Sequence, residues 1–258
     1  MIVLAWKARA GLPLVVAANR DEWRERPTQP AHWWADHPDL FAGRDLQAGG
    51  TWMGITRDGR FAAVTNFRDP SDKRTTARSR GELVTDFLLG DASGEAFAGK
   101  LAARAGEYNG FNLLMGDGRS LWYFGSRSGR AHAVEPGIHA LSNHVLDEPW
   151  PKVVRAREAM ARAMGSEDIA PSLFDFLADR QGAADSALPQ TGVGLAWERR
   201  LSSALITGED YGTRASTLLA VDGAGLVRLE ERTLDPAGIT IGIVSERYFL
   251  RAAGRDRL

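Results

Sequence analysis

The sequence predicts an α+β fold in which antiparallel sheets are covered by helices. Two observations carry it: hairpin signals recur from one end of the chain to the other, and a few helical stretches with apolar faces stand between them. No repeat of fixed period, low-complexity block or linker interrupts this order, so residues 1–258 are expected to form one domain.

Ile2–Trp6 and Leu12–Ala18 are short apolar runs that read as two strands, joined by "KARAGLP", where Gly11 and Pro13 supply the turn. Residues 24–50 are polar and weakly periodic, which predicts a long irregular excursion ending in "AGRDLQAGG". "TWMGITRDGRFAAVTNF" holds two β-rich runs around Asp58-Gly59, a dipeptide that tolerates the positive φ of a tight hairpin. "SRGELVTDFLLG" places Ser79 and Glu82 at capping-box spacing and closes on Gly90, so a helix with both ends marked is expected there. A second helix is expected over Glu95–Arg104. Strands return from Phe111 to Leu141, turning at 116–118 and 126–129. Trp150–Met164 is helical, with Val153, Ala156, Met160 and Met164 along one face, and a short helix is expected near Leu173–Arg180. "STLLAVDGAGLVRLEERTL" is a further hairpin, turning at Asp222–Gly225.

Composition narrows the function classes. Apolar residues form 44% of the chain and charged residues 25%, the mixture of a soluble globular protein. Lysine and arginine number 32 against 33 acids, and a near-neutral chain lacks the positive excess of a nucleic-acid or polybasic membrane binder. There is no cysteine, so thiolate metal sites and disulfides are excluded, which suits a reducing compartment. The apolar N-terminus is interrupted by Lys7 and Arg9, so it is neither a signal peptide nor a membrane span of ~20 residues. A cytoplasmic protein with no transmembrane segment is expected.

The local chemistry offers no familiar catalytic or cofactor motif. The five histidines, at 32, 37, 132, 139 and 144, lack zinc-site spacing, and no metal site is identifiable. There is no phosphate-binding glycine loop and no nucleophile elbow, and "TGVGLAW" lacks the third glycine and the preceding strand of a dinucleotide site. What stands out is Asn19, Arg20, Asp21 and Glu22 together at the end of an apolar strand, with Trp23 directly after. Arg44 and Asp45 precede Gly49-Gly50, Asn66 and Arg68 close a hairpin strand, and Asn143 closes another. Such endings fit two readings: polar groups converging on one rim, or ordinary turn chemistry.

The segments "PLVVAANRDEWRERPT", "AGRDLQAGGTWMGITRDGRFAAVTNFR", "SRGELV", "LSNHVLDEPWPK" and "YGTRAST" lie in order from residue 13 to residue 217. On them the chain resembles the NRDE family, also called the transport-and-Golgi-organisation protein 2 family. The resemblance implies a four-layer αββα sandwich, two antiparallel sheets between helical layers, like that of the N-terminal-nucleophile hydrolases. Such hydrolases use the first residue's side chain as nucleophile and its free α-amine, with a pKa of ~8, as base. By that resemblance Asn19, Arg20, Asp21, Asn143 and Arg214 are candidate pocket residues around the start of the chain: Asp21 to orient the amine, Arg20 to stabilise a thiolate, Asn143 to donate to an oxyanion. Trp23, Arg44, Asp45, Asn66 and Arg68 are candidate ligand-binding residues. Family members begin Met-Cys; this chain begins Met-Ile, and alignment on Ala5-Trp6 sets Met1 at the third family position. Met1 itself carries no competent nucleophile.

Two functions follow from the resemblance. One is handling of a small-molecule ligand, either haem as cargo or an acyl compound. The eight tryptophans, with Trp23, Trp33 and Trp34 in or beside residues 24–50, either line an apolar groove for it or fold back on the core. The other is an amidohydrolase whose cysteine is supplied by a start two residues upstream. A scaffold that keeps the pocket without a ligand is the third reading.

Overall fold

The computed structural model describes residues 1–72, 74, 75 and 77–251. Strands β1 (Ile2–Arg9) and β2 (Leu12–Trp23) open the chain, followed by β3 (Thr28–Trp33), β4 (Leu40–Asp45), β5 (Met53–Thr56) and β6 (Phe61–Asn66). Helices α1 (Gly81–Leu89) and α2 (Gly94–Ala102) come next, then β7 (Phe111–Gly116), β8 (Leu121–Gly125), β9 (Arg130–Ala133) and β10 (Gly137–Leu141). Helices α3 (Pro151–Met164), α4 (Ala170–Leu177) and α5 (Leu195–Arg200) precede β11 (Tyr211–Val221), β12 (Leu226–Leu234) and β13 (Thr240–Phe249).

The strands make two antiparallel sheets, ordered β10-β1-β2-β11-β12-β13 and β3-β4-β5-β6-β7-β8-β9. Successive side chains of a strand face opposite ways, and β1 uses both faces. Ile2, Leu4 and Trp6 join Phe41, Ile55, Phe61 and Leu114 of the other sheet in a core between the sheets. Met1, Val3 and Ala5 face the other way, against Val153, Met160, Leu173 and Leu177 of α3 and α4. The seven-stranded sheet is likewise covered by α1 and α2 through Leu83, Phe87, Ala98 and Leu101. A strand buried on both faces reads as an unbroken apolar run, which is why residues 2–6 and 14–18 carry no polar alternation. Full burial of a side chain of Leu or Phe size contributes about 1.5–3 kcal/mol.

The expected hairpins form, with Gly59, Gly118, Gly129 and Gly225 at positive φ in their turns. Residues 24–50 differ from expectation: they contain β3 and β4. β3 is an edge strand that carries Pro30 and a register shift between Gln29 and His32, features that hide the alternation of a regular strand. The capping box does not form either. Helix α1 starts at Gly81 with Arg80 at its N-cap and no side-chain cap, because Glu82 instead accepts from Tyr108 and pairs with Arg78. Trp34 is a core residue, 2% exposed, its indole N–H donating to Ala42 O at 3.0 Å, and Trp33 is half-buried against the core, packed edge-on on Phe41 and Tyr248. Among the described residues no helix is long and apolar enough to cross a membrane.

Candidate functional site

The antiparallel register of β1 and β2, with Ile2 opposite Ala18, brings the first residue beside the end of β2. The Met1 amine donates to Asn19 O at 2.7 Å, Asn19 N–H donates back to Met1 O at 2.9 Å, and the Asp21 carboxylate stands 3.8 Å from the amine. This amine is buried, and desolvation lowers its pKa from 8.0 to about 6; Asp21 opposes the shift and Lys152 adds to it. Lys152 is 2% exposed, its ammonium donating to Leu201 O at 2.8 Å, and burial brings it from 10.5 down to about 8 against the pull of Asp21. Asp21 is held from behind by the Thr213 hydroxyl, which donates to it at 2.7 Å while accepting from Ile206 N–H at 2.9 Å.

A cavity of about 470 Å³ opens beside this terminus, where the ends of β2 and β6 meet the segment leading into α1. Among the described residues its wall includes Arg20, Arg26, Arg74, Arg78 and Arg80 against the carboxylates of Asp21, Glu22 and Asp45. Arg26 is neutralised by Asp45 at 2.6 Å, and Arg78 by Glu82 and Glu107 at 2.6 and 2.7 Å. Arg20 and Arg80 are different. Arg20 lies over the Trp52 ring at 4.2 Å, its nearest carboxylate is Glu22 at 3.8 Å, and its Nη1 is buried without a hydrogen-bond partner. Arg80 donates to Gly110 O at 3.2 Å and has no ion pair among the described residues. Burial lowers the pKa of both guanidiniums, the mark of cations held in a poorly solvated wall.

Of the remaining residues singled out in the sequence, Asn19, Asp45, Asn66 and Asn143 line this cavity and Trp23, Arg44, Arg68 and Arg214 do not. Because β2 alternates, Asn19 and Arg20 point to opposite faces. The Asn19 carboxamide donates to Leu177 O and Ala204 O at 2.8 and 2.9 Å and accepts from Ser216 at 2.6 Å, tying β2 to α4 and β11. Asn66 and Asn143 line the cavity, joined by the Asn143 amide donating to Asn66 O at 3.0 Å. Asp45 lines it too, engaged by Arg26 and by Gln47 N–H at 3.0 Å. Arg68 is buried behind, paired with Glu198 at 2.7 Å and 4.8 Å from the Trp150 ring. Arg44 stacks on Trp34 at 4.1 Å and pairs with Asp36, and Trp23 packs edge-on against Trp197 and Tyr211; neither is part of the cavity wall. Arg214 sits at a bulge in β11 between Thr213 and Ala215 and reaches the carbonyls of Trp23 and Arg26. Gly50 does approach backbone closely, but the backbone is that of Gly81 at the start of α1, 2.6 Å from where a Cβ would stand.

Sequence reasoning missed Arg80, Lys152, Thr213 and Trp52. Each lies within or beside a motif stretch singled out above, yet its role depends on partners far away in the chain. His132 and His139 lie on different sheets, no histidine lines the cavity, and no group of three metal-binding side chains occurs among the described residues.

A family model described as Transport and Golgi organisation 2 matches residues 1–236. The chain is 34% identical over 239 residues to the Transport and Golgi organization protein 2 homolog of Bos taurus, covering 86% of each chain. It is 34% identical over 240 residues to the homolog of Homo sapiens, again covering 86% of each. To the Transport and Golgi organization protein 2 of Drosophila melanogaster it is 26% identical over 262 residues, covering 88% of this chain and 89% of that one.

Proposed function

This chain belongs to the Transport and Golgi organisation 2 family, and on that premise we propose that it handles an anionic small molecule, haem or an acyl compound, in the cavity at its amino terminus. The observation that carries the reading is the Arg20–Arg80 pair: two guanidiniums in one cavity wall, one with its nearest carboxylate at 3.8 Å and the other with no ion pair among the described residues. A buried, under-neutralised cation is costly, and an anion arriving beside it recovers that cost. The carboxylates of haem, or the carboxylate or phosphates of an acyl compound, supply such a group. Among the described residues no histidine lines this wall, and its arginines are the groups that would meet the carboxylates of haem. The same reading takes the chain as one domain working in the cytoplasm.

Titration of the purified chain with haem and with an acyl-coenzyme A tests this. Saturable binding of one of them, weakened about tenfold or more by Arg80→Gln, supports the reading, since a hydrogen bond to a charged group contributes about 1.5–3 kcal/mol. Absence of saturable binding to both sinks it.

A second reading, hydrolysis of an amide by an N-terminal cysteine, is favoured by the β1–β2 register. Met1 sits opposite Asn19, so a Met-Cys start, once its Met is lost, sets the cysteine opposite Arg20, next to Asp21, a carboxylate already oriented by Thr213. Two sheets packed face to face under helices are compatible with the αββα sandwich of N-terminal-nucleophile hydrolases. The codons upstream of Met1 decide it: Met-Cys in frame supports the enzyme, and a stop or an unrelated pair removes it.

A further inference from the structure

Arg20 and Trp52 also line a second, smaller cavity of about 220 Å³. Arg24 and Arg214 line it as well, and Pro30 and Ile241 at its rim are exposed. These three guanidiniums are poorly neutralised. The Nη1 of Arg20, whose side chain is 8% exposed, and the Nη2 of Arg24 are both buried without hydrogen-bond partners. Arg24 is otherwise held only by carbonyls, donating to Leu234 O at 3.0 Å and Gly208 O at 3.3 Å. Arg214 donates to the carbonyls of Trp23 and Arg26 and to the Thr28 hydroxyl. Neither Arg24 nor Arg214 has an ion pair among the described residues. Of the two acids in the wall, Glu231 is committed to Ala31 N–H at 2.7 Å and Thr217 at 3.2 Å, and Asp235 to Ile239 N–H at 2.8 Å.

Three cations kept together around a small void, none held by a close ion pair among the described residues, are an arrangement a small oxyanion completes. Its charge offsets the repulsion that Arg214 exerts on Arg20 and Arg24. We infer that this cavity is an oxyanion site, distinct from the amino-terminal cavity, which takes a phosphate or a carboxylate group between Arg20, Arg24 and Arg214. The bulge at Arg214 is what brings the third guanidinium to it, since a regular β11 would continue the pairing from Thr213 to the next residue without interruption.

Calorimetric titration of the full chain with inorganic phosphate, and separately with acetate, at ionic strength matched with chloride, tests the inference. One-to-one saturable binding is expected, weakened tenfold or more by Arg24→Met and by Arg214→Met and unchanged within twofold by Arg80→Gln. Whichever anion saturates at lower concentration identifies the group. Coenzyme A competing with phosphate makes the occupant one group of a larger ligand, and independent binding makes it a free ion. Should the arginine variants fail to fold, crystals of the unaltered protein soaked in selenate provide the second test, with an anomalous peak expected between the three guanidiniums. No saturable heat above the chloride blank, an anomalous peak elsewhere, or equal weakening by Arg80→Gln overturns the inference. The last of these would move the anion into the amino-terminal cavity and leave the ligand-handling reading standing.

Discussion

Arg20 of β2 and Trp52, the residue before β5, meet between the two sheets with the guanidinium 4.2 Å from the ring centroid. Both residues line both cavities. Trp52 keeps its place because Gly43 of β4 has no side chain: a Cβ there would stand 2.2 Å from the indole ring. Gly43→Ala is therefore expected to displace the ring and cost about 1–3 kcal/mol, the range for overpacking. Urea denaturation measures the loss and tryptophan fluorescence the displaced ring. Unchanged stability and spectrum would mean that the stack adjusts freely and that Gly43 does not hold the ring in place.

Among the described residues Asp21 is the carboxylate paired with the Met1 amine, at 3.8 Å, and it raises the pKa that burial lowers. Asp21→Asn keeps a group able to accept from Thr213 but removes the charge, so the amine's titration midpoint should fall below its value of about 6. Nitrogen NMR of a chain labelled at Met1 follows that midpoint. If it does not move, the terminus is governed by burial alone and Asp21 has no electrostatic hold on it.

Much of the scaffold was legible in the sequence because its causes are local. Asp58-Gly59 and Asp222–Gly225 name their hairpins, and the apolar face of Trp150–Met164 names α3. β3 was not, because Pro30 and an edge-strand bulge disturb the period on which the reading depends. The candidate site was legible only as a set of polar strand ends. Alternation along β2 sends Asn19 toward α4 and Arg20 toward Trp52, a division that adjacency in sequence conceals. Arg80 gave no signal of its own: its meaning comes from the acid it lacks, which only the folded neighbourhood reveals.

Arg68 and Glu198 show the same dependence on distant partners. They are 130 residues apart, 8% and 5% exposed, and bonded at 2.7 Å. Glu198 also accepts from Thr191 N–H and Oγ–H at 2.8 and 2.6 Å. Removing one member of a buried pair strands the other, so Glu198→Leu should cost about 3–5 kcal/mol. The double variant Arg68→Met/Glu198→Leu should recover most of that. Denaturant midpoints of the two variants check it, and a double variant as unstable as the single one would show that Thr191, not the charge pair, is what Glu198 serves.

Two groups give stability opposite dependences on pH near neutrality. His139 bonds Asp147 through Nδ1 at 2.7 Å, which raises its pKa above 6.5 against desolvation and the nearby Arg157. Its contribution is complete below 6.5 and fades as pH rises through the folded value. The Met1 amine is lowered from 8.0 to about 6, so between those values the unfolded chain holds the extra proton. Stability then climbs with pH across that window, by at most about 1.4 kcal/mol per unit. Lys152, lowered from 10.5 to about 8, extends the climb above pH 8. His139→Gln removes the falling contribution, so its urea midpoint should rise more steeply from pH 6 to pH 8 than that of the unaltered chain. Acetylation of the amino terminus removes the rising one, and the midpoint of the acetylated chain should fall over the same range. Parallel profiles for all three forms would show that neither contact carries a pH-dependent part of the stability.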